Sequence, residues 1–131
     1  MQRTLLVTND FPPRIGGIQS YVYELASRLP ADRLVVLASD YPGAAPFDAV
    51  QRFPVIRPPT SVLLPTAAVA RAAADLIRRH SLTAVWYGAA APLALMTPRL
   101  RAAGIRRSVA STHGHEVGWS MLPGARQMLR R

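Results

Sequence analysis

Two short stretches of this sequence hold residue types suited to a phosphorylated or glycosylated ligand. The first, TNDFPPRIGGIQSY at positions 8–21, combines Asn9 and Asp10 with two prolines, Arg14 and the pair Gly16–Gly17. Gly16 and Gly17 remove two side chains where a helix is about to begin. A phosphate or sugar can then come close to backbone N–H groups that the first helical turn leaves unpaired and that carry the positive end of the helix dipole. Arg14 can add a charge-assisted hydrogen bond to such an anion. The same residues also suit a turn that binds nothing, and Asn9 and Asp10 suit an Asx turn. The second stretch, THGHE at 112–116, offers His113, His115 and Glu116. Histidines at i and i+2 make a weak metal site without a third ligand, so no metal is expected. Neither stretch is the dinucleotide pattern G-x-G-x-x-G or the P-loop, which needs a lysine this chain lacks.

The elements that must carry these residues are legible in the apolar pattern. Thr4–Thr8 reads as a buried parallel strand, and Ile18, Val22, Leu25 and Leu29 recur at helical spacing before Pro30 ends the element. A strand at 34–37 is followed by the loop SDYPGAAPFDA and by a shorter strand over 53–56. A proline-punctuated loop then leads to an alanine-rich helix over 67–80, with Arg71, Asp75, Arg78 and Arg79 clustered on one side. A fourth strand over 85–87, a helix over 91–103 ended by Gly104 and a fifth strand over 108–111 follow, with a last helix over 122–131. Strands alternating with helices predict an α/β fold whose mainly parallel sheet is covered by helices on both faces. In such sheets ligands sit outside the carboxyl ends of the strands, which is where both chemical stretches fall.

The bulk numbers narrow the classes. With 131 residues, half of them hydrophobic, the chain is one domain or part of one. It has no cysteine, which excludes disulfides and thiolate metal sites and makes a reducing, cytoplasmic setting the expectation. The apolar run after Met1 is too short for a signal peptide or a membrane span. The net charge is +9 and every basic side chain is arginine, so the candidate partners are nucleic acid, an anionic membrane surface or a phosphorylated small molecule. Scattered arginines without a helix-turn-helix or an aromatic-basic signature argue against nucleic acid.

Taken whole, LLVTNDFPPRIGGIQSYVYELASRL resembles the opening of retaining glycosyltransferases of family 4, whose N-terminal domain begins with an apolar strand, a P-x-x-GG loop and a helix. VASTHGHE at 109–116 is similar to that family's strand and T-x-HG segment. The longer runs LLVTNDFPPRIGGIQSY and THGHEVGWSMLPGARQMLRR look like the GDP-mannose-dependent phosphatidylinositol monomannoside mannosyltransferases of actinobacteria. The resemblance spans essentially the whole chain and is weakest between residues 40 and 80.

The resemblance implies the Rossmann-like N-terminal, acceptor-side half of a GT-B fold over residues 1–131, incomplete at its own C-terminus. It places Gly16 and Gly17 at the donor diphosphate, to which Arg14, by its charge and place in the same loop, is expected to add a contact. It assigns His113 to the transferred mannose, where it orients the sugar, with His115 and Glu116 as expected support. Asn9 and Asp10, at the end of the first strand, and Arg57 are the residues expected at the acceptor. GDP-mannose would be the donor substrate and a phosphatidylinositol mannoside the acceptor, with no cofactor. Arg71, Arg78 and Arg79 would dock on anionic lipid at the inner face of the plasma membrane, although Asp75 can equally pair with Arg71 and Arg79 on a solvated helix face. The chain departs from the family in holding only two glutamates, Glu24 and Glu116, hence no E-x7-E motif, and no Arg/Lys pair for the diphosphate. The second, nucleotide-sugar-binding domain is therefore expected to be missing and these residues alone to be inactive. The alternatives are a noncatalytic α/β domain that pairs with a separate nucleotide-binding subunit, and an arginine-rich nucleic-acid-binding module.

Overall fold

A computed structural model of the protein describes residues 2–89 and 91–111. Its framework is a five-stranded sheet in the order β3-β2-β1-β4-β5, with every neighbouring pair parallel. The central strand β1 (Thr4–Thr8) pairs with β2 (Leu34–Ala38) on one side and β4 (Ala84–Tyr87) on the other. All three are buried along their whole length, as parallel strands covered on both faces require. The flanking strands β3 (Val55–Ile56) and β5 (Arg107–Ala110) are only partly buried.

Alternation along β1 divides the interior into two cores. Leu5 and Val7 point to the face covered by α3 (Ala67–His80) and α4 (Thr97–Ala103), where Leu63, Ala73, Ile77, Met96 and Leu100 pack with them. Leu6 points to the opposite face, onto α1 (Gly17–Ser27), through Val22 and Ala26. That second core is aromatic: Phe11 meets Tyr23, Phe47 and Phe53 edge-on at 5.8, 6.0 and 6.3 Å. Edge-to-face arrangements at such separations favour the ring quadrupoles.

α3 is the best-specified helix. Thr66 caps it by accepting a hydrogen bond from the Val69 N–H, and Arg78, Arg79 and His80 fall in its last turn, where positive charge suits the helix dipole. Three expectations need correction. The stretch 39–49 contains a six-residue helix, α2 (Ala44–Ala49), instead of a continuous loop. Gly43 enters it in the left-handed region, with φ 85°, and Pro46 lies in the first turn, where a missing N–H removes no hydrogen bond. The helix expected over 91–103 is a 3-10 turn at Leu93–Met96 followed by the short α4. β3 keeps only two of the four residues expected of it, because Phe53 turns into the aromatic core before pairing begins. The helix expected over 122–131 lies outside the described residues.

Candidate functional site

The loops after β1, β2 and β3 meet at the carboxyl edge of the sheet, and their meeting is organised by side chains that the sequence pattern alone did not connect. β1 gives way to Asn9 and Asp10. The Asp10 N–H donates to Thr8 Oγ1 at 2.8 Å, which turns the chain at once. Asn9 uses both ends of its amide on the backbone of Leu63: Nδ2 donates to the carbonyl at 3.0 Å and Oδ1 accepts the N–H at 2.6 Å. The loop between β3 and α3 is thereby fastened to the end of the central strand.

Arg57 does the same work from the β3 end. Its side chain is 5% exposed and forms a forked ion pair with Asp48 of α2, Nε donating at 2.9 Å to one carboxylate oxygen and Nη2 at 3.0 Å to the other. Nη1 donates to the Ser39 carbonyl at 2.9 Å and Nη2 to the Pro12 carbonyl at 2.6 Å. The guanidinium also lies over the Phe11 ring, 5.8 Å from its centroid. One cation therefore binds the loops after β1, β2 and β3 and the helix α2 into a single unit. Arg57 and Asn9, both expected at the acceptor, spend these donors on the protein itself. Asp10 keeps more of its capacity: one oxygen accepts from Gln19 at 3.4 Å, and its side chain is half-buried.

The Gly16–Gly17 turn opens α1 with its backbone donors free of side-chain competition. Among the described residues no side chain caps this N-terminus, and the first turn contains no acidic residue. Space at the two glycines differs. A Cβ on Gly16 would run into the Gln19 side-chain amide, whereas among the described residues a Cβ on Gly17 would meet nothing within 4 Å. Gly17 therefore marks the open approach to the helix end. Arg14 lies over the Tyr41 ring, 4.7 Å from its centroid, which ties this turn to the segment after β2.

At the switch point between β1 and β4 the two strands run together closely. A Cβ on Gly88 would come within 2.6 Å of Thr8 Cβ, so no larger residue fits there unless Thr8 moves. β5 ends at the same edge: the buried Ser111 donates its N–H to the Tyr87 carbonyl, and its Oγ accepts the Trp86 indole N–H at 2.6 Å. His113, His115 and Glu116 lie outside the described residues. Among the described residues no group of three or more potential ligands could hold a metal ion.

The basic helix face is distributed differently from its sequence clustering. Arg79 pairs with Asp75 at 2.7 Å across an exposed i, i+4 step. Arg71 and Arg78, together with Asp75 itself, line a groove of about 540 Å³ between α3 and α4, floored by Ala67, Ala70 and Ala74 and joined by Arg99, which sequence clustering did not reveal. α3 leaves the carboxyl edge at Thr66. Arg78 and Arg79 therefore lie toward the far edge, where Arg3 donates to the His80 carbonyl. Among the described residues no helix is long and apolar enough to cross a membrane.

Comparison with known proteins adds the following. The model of the family described as Glycosyltransferase Family 4 matches residues 15–131. The chain is 54% identical over 137 residues to a GDP-mannose-dependent alpha-(1-6)-phosphatidylinositol monomannoside mannosyltransferase of Mycobacterium tuberculosis, covering 100% of this chain and 36% of that protein. It is 52% identical over 132 residues to a GDP-mannose-dependent monoacylated alpha-(1-6)-phosphatidylinositol monomannoside mannosyltransferase of Corynebacterium glutamicum, covering 99% of this chain and 35% of the relative. A Mycolicibacterium smegmatis protein with the same description as the first is 54% identical over 131 residues, 97% of this chain and 34% of its own. The chain thus spans about a third of the length of these relatives.

Proposed function

Because the chain belongs to glycosyltransferase family 4, we propose that it forms the N-terminal, acceptor-side half of a retaining enzyme that moves mannose from GDP-mannose to a phosphatidylinositol mannoside. One observation carries the reading: identity above half along virtually the entire chain to three relatives whose descriptions state that donor and acceptor class. The parallel sheet with helices on both faces is consistent with the N-terminal half of a GT-B fold.

In this reading the open approach at Gly17 receives the donor diphosphate against the uncapped start of α1. Backbone N–H groups and the helix dipole stabilise the charge that develops on the leaving phosphate. The departing phosphate helps to take the acceptor's proton on the same face of the sugar. Asp10 offers a carboxylate to an acceptor hydroxyl, while Arg57 and Asn9 serve the site by holding its loops. His113 orients the transferred mannose. The protein works at the inner face of the plasma membrane as a peripheral enzyme, with Arg71 and Arg78 toward anionic lipid.

The test extends the chain to the length of its relatives and measures transfer of radiolabelled mannose from GDP-mannose to phosphatidylinositol monomannoside. Transfer by the extended protein, and none by residues 1–131 alone, is expected. An extended protein that ignores GDP-mannose, or turnover by these 131 residues without a partner domain, would overturn the proposal.

A further inference from the structure

Beside the Gly16–Gly17 turn, a hollow of about 390 Å³ opens at the carboxyl edge, lined by Asp40, Tyr41 and Pro42 from one segment and Pro59, Thr60 and Ser61 from another. We propose that this hollow is a subsite for the mannose already present on the acceptor, distinct from the site of the mannose being transferred. The inference rests on the mannosyltransferase reading above and adds a residue-level account of acceptor choice.

Three observations converge on a neutral sugar. The first is composition: an aromatic ring and two proline rings present C–H and π surfaces of the kind that the apolar face of a hexose covers, and polar groups rim them. The second is unused hydrogen-bonding capacity. Among the described residues neither the Tyr41 hydroxyl nor the Ser61 hydroxyl has a partner, and Asp40 uses only one carboxylate oxygen, which accepts the Tyr41 N–H at 2.9 Å. A hydroxyl-rich ligand can engage a phenol, a serine and a carboxylate oxygen together. The third is charge. Among the described residues lining the hollow Asp40 is the only carboxylate and there is no base, Arg14 being engaged over the Tyr41 ring, so the lining itself offers hydroxyls an acceptor and an anion no counter-charge.

The hollow is built in advance. The Asp40 N–H donates to the Thr60 carbonyl at 2.7 Å, which joins its two walls directly. Thr60 Oγ1 closes its own loop by donating to the Val62 carbonyl at 2.9 Å, and it accepts the Val62 N–H at 3.3 Å. Arg14 over one face of Tyr41 braces the ring from the side of the β1–α1 turn. Pro13 reaches within 3.9 Å of where a Cβ on Gly43 would lie, so the segment after β2 rests against that turn. A sugar held here is therefore placed next to the proposed donor approach by contacts that exist before it arrives.

The experiment uses the extended enzyme and the variant Ser61→Trp, which fills the hollow from an exposed position whose hydroxyl no described residue uses, together with Tyr41→Ala. With phosphatidylinositol monomannoside as acceptor, each variant should raise the acceptor KM by about tenfold while leaving kcat and the GDP-mannose KM close to wild type. Circular dichroism should show both variants folded. A folded Ser61→Trp enzyme with unchanged acceptor KM overturns the subsite while leaving the mannosyltransferase reading intact. If the wild-type enzyme transfers no mannose, that reading fails, and the subsite is judged by saturation-transfer NMR with methyl α-mannoside. Signal with wild type that Ser61→Trp abolishes sustains it, and absent or unaltered signal overturns it.

Discussion

Arg57 shows how far one side chain's role can lie from what its position suggests. At the end of a strand facing a ligand edge, a basic residue reads as a phosphate or headgroup contact. Here it is the cation of an internal pair whose members are 5% and 19% exposed, and its remaining bonds go to carbonyls as far away in sequence as Pro12. No periodicity links residues 12, 39, 48 and 57, so the sequence offered the charge without its partners. Asn9 is similar, reaching 54 residues along the chain to Leu63. Gly16 and Gly17 were legible because a turn and a helix start depend on neighbouring residues. Removing one member of a buried pair leaves the other charged and desolvated, which commonly costs about 3–5 kcal/mol. Arg57→Ala should therefore lower the urea midpoint sharply. Arg57→Lys should recover only part of the loss, because an ammonium cannot reproduce the fork to Asp48 together with two carbonyl bonds. Urea melts in which Arg57→Ala matches wild type would show that the pair adds nothing to stability.

At the scale of elements, the strands were the most legible because an unbroken apolar run of four or five residues is what a doubly covered parallel strand demands. α3 was equally plain from fourteen residues of helical alternation. α2 was hidden by Pro42, Gly43 and Pro46, which punctuate a loop on paper but in the fold mark the entry and first turn of a helix. The joint between β4 and α4 depends on Tyr87, which ends its strand and is 1% exposed. Thr97 spends its hydroxyl proton on the Ala94 carbonyl at 2.7 Å, so the Tyr87 phenol donates to Thr97 at 2.9 Å. Burial raises the Tyr87 pKa above its ordinary value of 10.0, an effect that the Thr97 hydrogen bond and the Arg101 charge oppose. The folded state therefore holds this proton more tightly than the unfolded chain does. The associated stability is complete below about pH 10 and is lost as pH rises from there through the folded pKa. Thermal melts across the alkaline range should show a decline that Tyr87→Phe reduces. An identical decline in both proteins would assign it to other groups.

For the whole molecule the governing fact is charge: sixteen basic side chains against seven acidic ones, without a lysine. A net charge of +9 is by itself compatible with any anionic partner, and folding is what restricts it. Glu24 and Asp75 hold Arg28 and Arg79 in exposed pairs, and Asp48 holds Arg57 in a buried one. Arg71, Arg78 and Arg99 remain together around the alanine-floored groove between α3 and α4. Asp75 also lines the groove but is paired with Arg79, so the three arginines leave a net positive charge on a shallow, partly apolar floor. Such a surface suits an anionic bilayer, where each basic residue near the surface adds roughly 1 kcal/mol. The chain should therefore bind vesicles containing phosphatidylinositol more strongly than phosphatidylcholine vesicles. Binding should weaken steeply as salt brings the screening length down from about 10 Å at 0.1 M toward about 3 Å at 1 M. The double variant Arg71→Gln/Arg78→Gln should lose most of this binding in a sedimentation assay, whereas Arg79→Gln, which removes an arginine already paired with Asp75, should lose little. Equal binding to neutral vesicles at high salt, or equal losses for the paired and the groove arginines, would show that overall charge acts and that the groove does not.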